Sequence, residues 1–150
     1  MYRRILYPGR LEMKMSSALL LLARVCVGSL FLLHGMSKWM AYAELSSNFP
    51  DPLHIGSAWS LILIIIAELV CSVFFIFGFL YRVVLLPMIF AMGMAFFVIH
   101  DGSLDGGELS LVYMLIFVFL YLTGPGRYSI DAWLVRRWEE ENTIDPEESE

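Results

Sequence analysis

Charge is scarce in this 150-residue chain. Only 17% of its residues are Asp, Glu, Lys or Arg, while 59% are hydrophobic. A water-soluble domain of this length has to cover itself with polar side chains, and about a quarter of its residues are usually charged. With a mean hydropathy of +0.70, the excess apolar surface has to face lipid. Cysteine is nearly absent. Cys26 and Cys71 both lie in apolar runs outside any CxxC or CxxH spacing, so they read as small buried apolar residues. Phosphate loops, dinucleotide fingerprints and hydrolase elbows are missing. No inverted repeat marks a transporter. Basic residues cluster at Arg3, Arg4, Arg10 and Lys14, but they flank an apolar run. That makes them topology signals and not nucleic-acid contacts.

What the chain does have is four apolar runs, at about residues 16–36, 58–80, 83–100 and 109–123. A bilayer core needs about 20 apolar residues in a helix, so these runs predict an all-α bundle of four transmembrane helices. The fourth is short and can borrow flanking residues such as Glu108. The first is too long for the apolar region of a signal peptide and contains Arg24. Eight basic residues (Arg3, Arg4, Arg10, Lys14, Arg82, Arg127, Arg136 and Arg137) fall on one side of the spans, against Lys38 on the other. The positive-inside rule then predicts both chain ends in the cytoplasm. Gly124-Pro125-Gly126 should stop span four. Ser129 should cap an amphipathic surface helix over residues 130–142, carrying Trp133, Leu134 and Trp138. The acidic segment 143–150 reads as a disordered tail.

Ionisable residues inside a span cost about 2.5–3.5 kcal/mol each at the centre and need partners. Arg24 in span one and Glu68 in span two, counted from the cytoplasmic ends of adjacent helices, are expected to form an ion pair. On a helical wheel Arg24, Gly28, Phe31, Gly35 and Lys38 share one face of span one, within about 40°. Its glycines allow a second helix or a flat ligand to approach closely. At the external ends stand His34 and Lys38, His100 and Asp101, and Glu108. Two imidazoles, an amine and carboxylates at one depth are a set that can bind and deprotonate a quinol. Haem through the two histidines has weak support, and no spacing suggests another metal. The methionines and phenylalanines of span three (Met88, Phe90, Met92, Met94, Phe96, Phe97) read as packing before ligand box.

Taken in order, several of these residues resemble the DoxX family of small bacterial membrane proteins. They are Arg24 with Gly28, His34-Gly35-Met36-Ser37-Lys38, Pro50, Ala67-Glu68-Leu69 with Gly78, and His100. The ending Thr123-Gly124-Pro125-Gly126-Arg127-Tyr128-Ser129-Ile130-Asp131 is the most specific piece. The family is similar to a membrane subunit linked with quinol oxidase and thiosulfate:quinone oxidoreductase. The resemblance therefore implies a bacterial inner membrane, a link to quinone, and protein partners or a homo-oligomer. It nominates Arg24, His34, Lys38, Glu68 and His100. The expected function is a quinone-interacting subunit of a membrane redox complex. In it His34, His100 and Glu108 handle protons, while Arg24, Gly28, Gly35, Lys38 and Glu68 hold the quinone. A non-enzymatic scaffold that recruits partner proteins is the alternative, and a small transporter stands third.

Overall fold

The computed structural model describes residues 10–143, with side chains from Lys14 to Asn142. Arg3, Arg4 and the tail from residue 144 lie outside the described residues. In lipid every backbone polar group must be satisfied within the protein, and apolar runs of this length achieve that within each segment as helices. The elements are α1 (Arg10–Met40), the short α2 (Tyr42–Leu45), α3 (Ser57–Phe77), α4 (Tyr81–Ile99), α5 (Leu104–Thr123) and α6 (Ile130–Thr143). Helices α1, α3, α4 and α5 are each long and apolar enough to cross a membrane. They form a four-helix bundle with α1 against α3, α3 against α4, α4 against α5, and rings of α1 touching α5. No strand occurs among the described residues.

The core is aromatic and soft. Phe31 of α1 meets Phe117 at 4.9 Å and Tyr113 at 5.2 Å between ring centroids, while Phe75 of α3 stacks on Tyr81 at 5.5 Å. Met88, Met92 and Phe96 of α4 are buried around them. The outside is as apolar as the inside: Leu22, Leu33, Val83, Phe97 and Phe119 are all exposed. Contiguous apolar surface on this scale belongs against lipid.

Boundaries differ from the sequence expectation where side chains cap the helices. Span four begins at Leu104 and not Leu109, because the Ser103 hydroxyl accepts a hydrogen bond from the Asp105 amide at 3.1 Å. The helix becomes regular only past Asp105 and Gly106. Pro87 sits inside α4, beyond its first turn, where it removes one backbone hydrogen bond. The turn between α3 and α4 is Gly78-Phe79-Leu80, with Gly78 at φ 67° and Leu80 at φ 47°, and Arg82 already lies in α4.

That turn is held by the segment after span four, and here the expected Arg24–Glu68 pair is corrected. Arg24, only 1% exposed, donates to Pro125 O and Tyr128 O, each at 2.6 Å. Asp131 accepts from the Leu80 and Tyr81 amides, each at 2.9 Å, and its own amide donates to Gly78 O at 3.0 Å. The Ser129 hydroxyl accepts from the Ala132 amide at 3.1 Å, capping α6. A methyl group at Gly78 would collide with the Arg24 guanidinium and lie 2.6 Å from Ser129 Cβ. Thus α1, the α3–α4 turn and the α5–α6 link are clasped at one end of the bundle. Glycine contacts fix the register: Gly28 lies against Phe75 and Ile76, and Gly35 against Glu68. Arg24 is therefore eleven residues (35 − 24) below the level of Glu68, about 16 Å along the axis. The two helices are staggered, so depths counted from their separate ends did not share an origin.

Candidate functional site

Near the other end of the bundle Glu68 has a different partner. Lys38, in the last turn of α1, donates to both Glu68 carboxylate oxygens, at 2.7 and 2.6 Å. Glu68 is 1% exposed and Lys38 is partly buried, with a side chain 26% exposed. Gly35 makes this possible. A methyl there would stand 2.8 Å from Glu68 Cβ and 2.9 Å from Leu69 Cγ, so only glycine lets the backbones approach this closely. Lys38, one turn further along α1, then lies over the carboxylate. Glu68 itself sits in a π-helical turn, Ile66–Val70, closed by the Cys71 amide donating to Ile66 O. Such wider turns recur at functional sites. A second one, Ala95–Ile99, ends α4, with the His100 amide donating to Ala95 O at 3.1 Å.

Between these two π turns lies a cavity of about 490 Å³. Its walls are apolar, from α3 (Leu63, Ile64, Ala67) and α4 (Phe90, Ala91, Met94), and Lys38 and Glu68 reach into it. The volume falls in the range of small-molecule sites, about 300–1,000 Å³. Leu63, Ile66 and Phe90, which also line it, are exposed on the lipid-facing surface. The cavity therefore opens sideways between α3 and α4.

The loop after α2 supplies a further wall through Phe49, Pro50, Pro52 and Leu53, and Ser110 of α5 also lines the cavity. Asp51 pins it. Its carboxylate accepts from the Ser60 hydroxyl at 2.6 Å and from the Gly56 and Ile55 amides at 2.7 and 3.1 Å. The Ser60 hydroxyl above all, then those amides and the nearby His54, hold the Asp51 carboxyl below its ordinary value. The bonds favour the charged form, so the stability they add is present above the unfolded carboxyl value, about 3.9, and is lost as pH falls through the lower folded one. Hydrogen exchange at the Gly56 amide should be about tenfold faster in Asp51→Asn than in the native chain near pH 5. The two should converge on acidification below about pH 4. Equal exchange near pH 5 would show that Asp51 does not hold the loop.

The residues nominated by sequence are not all at this site. Lys38 and Glu68 are on it. Gly28 and Gly35 face α3 and set the distance between helices. Arg24 belongs to the clasp. His34 is exposed on α1 with its ring 5.8 Å from that of Tyr113. His100 packs beside Gly106 and Gly107, and Glu108 is exposed on α5. None of these three lines the cavity. No group of three or more metal-ligating side chains occurs among the described residues. Sequence reasoning missed Asp51 and the π turns. The Lys38–Glu68 pair had a usable signal, since Lys38 shares the glycine face of α1.

Comparison with known proteins fits this architecture. The chain is 29% identical to the inner membrane protein YqjF of Escherichia coli over 131 residues, 83% of this chain and 98% of that protein. Two proteins of Haemophilus influenzae described as uncharacterized are 27% and 29% identical, over 72% and 78% of this chain and 84% and 83% of their own lengths. No solved structure matches at comparable significance. The sequence profile of the DoxX family matches residues 19–101, from the glycine face of α1 through the Lys38–Glu68 pair to the end of α4, and the chain belongs to that family.

Proposed function

We propose that this protein is a quinone-interacting subunit of a membrane redox complex, binding the quinone in the α3–α4 cavity. The observation that carries this reading is the sideways opening of an apolar cavity into the lipid-facing surface, with one ionic pair on its wall. A ligand that enters from the bilayer has to be lipid-soluble, and one that uses the pair has to carry a polar head. Quinones combine a flat head bearing two carbonyl oxygens with an apolar tail. The donor set fits that head: two of the ammonium protons of Lys38 go to Glu68, and the third can go to a carbonyl oxygen. When bound, quinone supplies two-electron, two-proton redox chemistry. The chain's own part is to bind and orient the head, exclude water with the Phe49–Leu53 loop, and hold a proton donor beside it. Of the two histidines, His34 stands one turn before Lys38 on α1, which makes it the one we assign to exchange protons with the pair. The basic bias and the inner-membrane relative support an inner-membrane location with both chain ends in the cytoplasm.

The test is quinone content. The chain is purified in mild detergent from quinone-containing membranes, and bound lipids are extracted for mass spectrometry. A quinone near one per chain is expected, falling about tenfold in Ala95→Phe, whose ring would fill the cavity. His100→Ala should retain it. Absence of quinone from the native chain, or equal content in Ala95→Phe, would sink the reading.

A further inference from the structure

The exposed helix α6 is bolted to the end of the bundle where α3 turns into α4. Its first turn is tied by Asp131 to Gly78, Leu80 and Tyr81, the residues where α3 ends and α4 begins. The link from Thr123 to Ile130 is short and is held by Arg24. From Trp133 to Asn142 every side chain is exposed, including Trp133, Leu134, Val135 and Trp138. A helix that starts where four spans leave the lipid, with uncovered tryptophans, lies in the headgroup region.

Against its base is a groove of about 380 Å³, lined by Pro125, Arg127, Asp131, Ala132, Val135 and Arg136. The Asp131 carboxylate is committed to backbone amides, so the chemistry the groove offers outward is that of two guanidinium groups. The Arg136 guanidinium donates to Arg127 O at 3.2 Å, which keeps the two arginines on one side. Arg137 stands 5.6 Å from the Trp133 ring and is paired with Glu141 at 3.4 Å, so the groove's cations are Arg127 and Arg136. Guanidinium pairs match phosphate oxygens through forked hydrogen bonds. We infer that the Arg127–Arg136 groove binds the phosphate head of an anionic phospholipid, with the apolar side chains of α6 in the same leaflet.

The full chain would be purified in mild detergent, exchanged into mixed micelles of equal phosphatidylcholine and phosphatidylglycerol, and its retained lipids counted by native mass spectrometry. Two surface arginines facing the headgroups predict a preference for phosphatidylglycerol of about tenfold. The preference should fall to near parity in R127Q/R136Q and part-way in R127K/R136K, which keeps the charge but loses the fork. Both arginines are exposed, and an unchanged Tm would confirm that the glutamine variant is folded. Parity in the native chain, or an undiminished preference in R127Q/R136Q, would overturn the assignment. Displacement of the lipid by millimolar inorganic phosphate would also overturn it, because the groove would then serve free phosphate.

Discussion

Lys38→Met should destabilise the protein by about 3–5 kcal/mol, because it leaves the Glu68 carboxylate buried without its cation. Glu68 is 1% exposed and takes both of its close hydrogen bonds from Lys38. At this chain length the loss corresponds to a fall in Tm on the order of 10 °C in detergent. The double variant Lys38→Met, Glu68→Leu should recover most of that loss, since replacing both partners with apolar groups of similar size is often neutral. The pair of variants separates structure from function. On the quinone proposal, an ion pair that serves only to dock α1 on α3 leaves the double variant with the native chain's quinone content. If it holds the quinone head, the double variant is stable and empty. An unchanged Tm in Lys38→Met would show that the carboxylate finds another partner, and the pair would lose its standing as the polar wall of the site.

Arg24→Met should cost about as much, for a different reason. It removes two charge-assisted hydrogen bonds worth about 1.5–3 kcal/mol each, to Pro125 O and Tyr128 O, and leaves both carbonyls without their donor. The damage should be local before it is global. The link between α5 and α6 is held to α1 by those two bonds, so proteolysis at Arg127 should quicken well below the Tm. Gly78→Ala should reproduce the effect from the opposite side. A residue with a Cβ at φ 67° costs about 1–2 kcal/mol, and its methyl group would displace the same guanidinium. Native-like cleavage at Arg127 in both variants would refute the clasp. Neither substitution touches the cavity, so quinone content per folded chain should hold.

The two predictions fall on residues that the sequence marked and then mispaired. Composition alone determined the fold class, because four runs too apolar for water and long enough for lipid leave few architectures open. The glycine face of α1 was also legible, since 100° per residue aligns Gly28, Gly35 and Lys38 without knowledge of any other helix. So was the Ser129 cap, a contact between near neighbours in sequence. The partner of Glu68 was not legible. It depends on the stagger of α1 against α3, which is set where Gly28 meets Phe75 and Gly35 meets Glu68. Helical periodicity gives the direction in which a side chain points but carries no information on the axial offset between two helices, and an offset of about four turns exchanges Arg24 for Lys38. The cavity was hidden for the same reason. Its walls come from α3, α4 and the loop that Asp51 pins, and each wall reads in the sequence as ordinary apolar packing. The sequence by itself determined the number of spans and the polar, glycine-bearing face of α1. Tertiary structure alone decided which charges meet and where the helices stand apart, because both are properties of the space between segments.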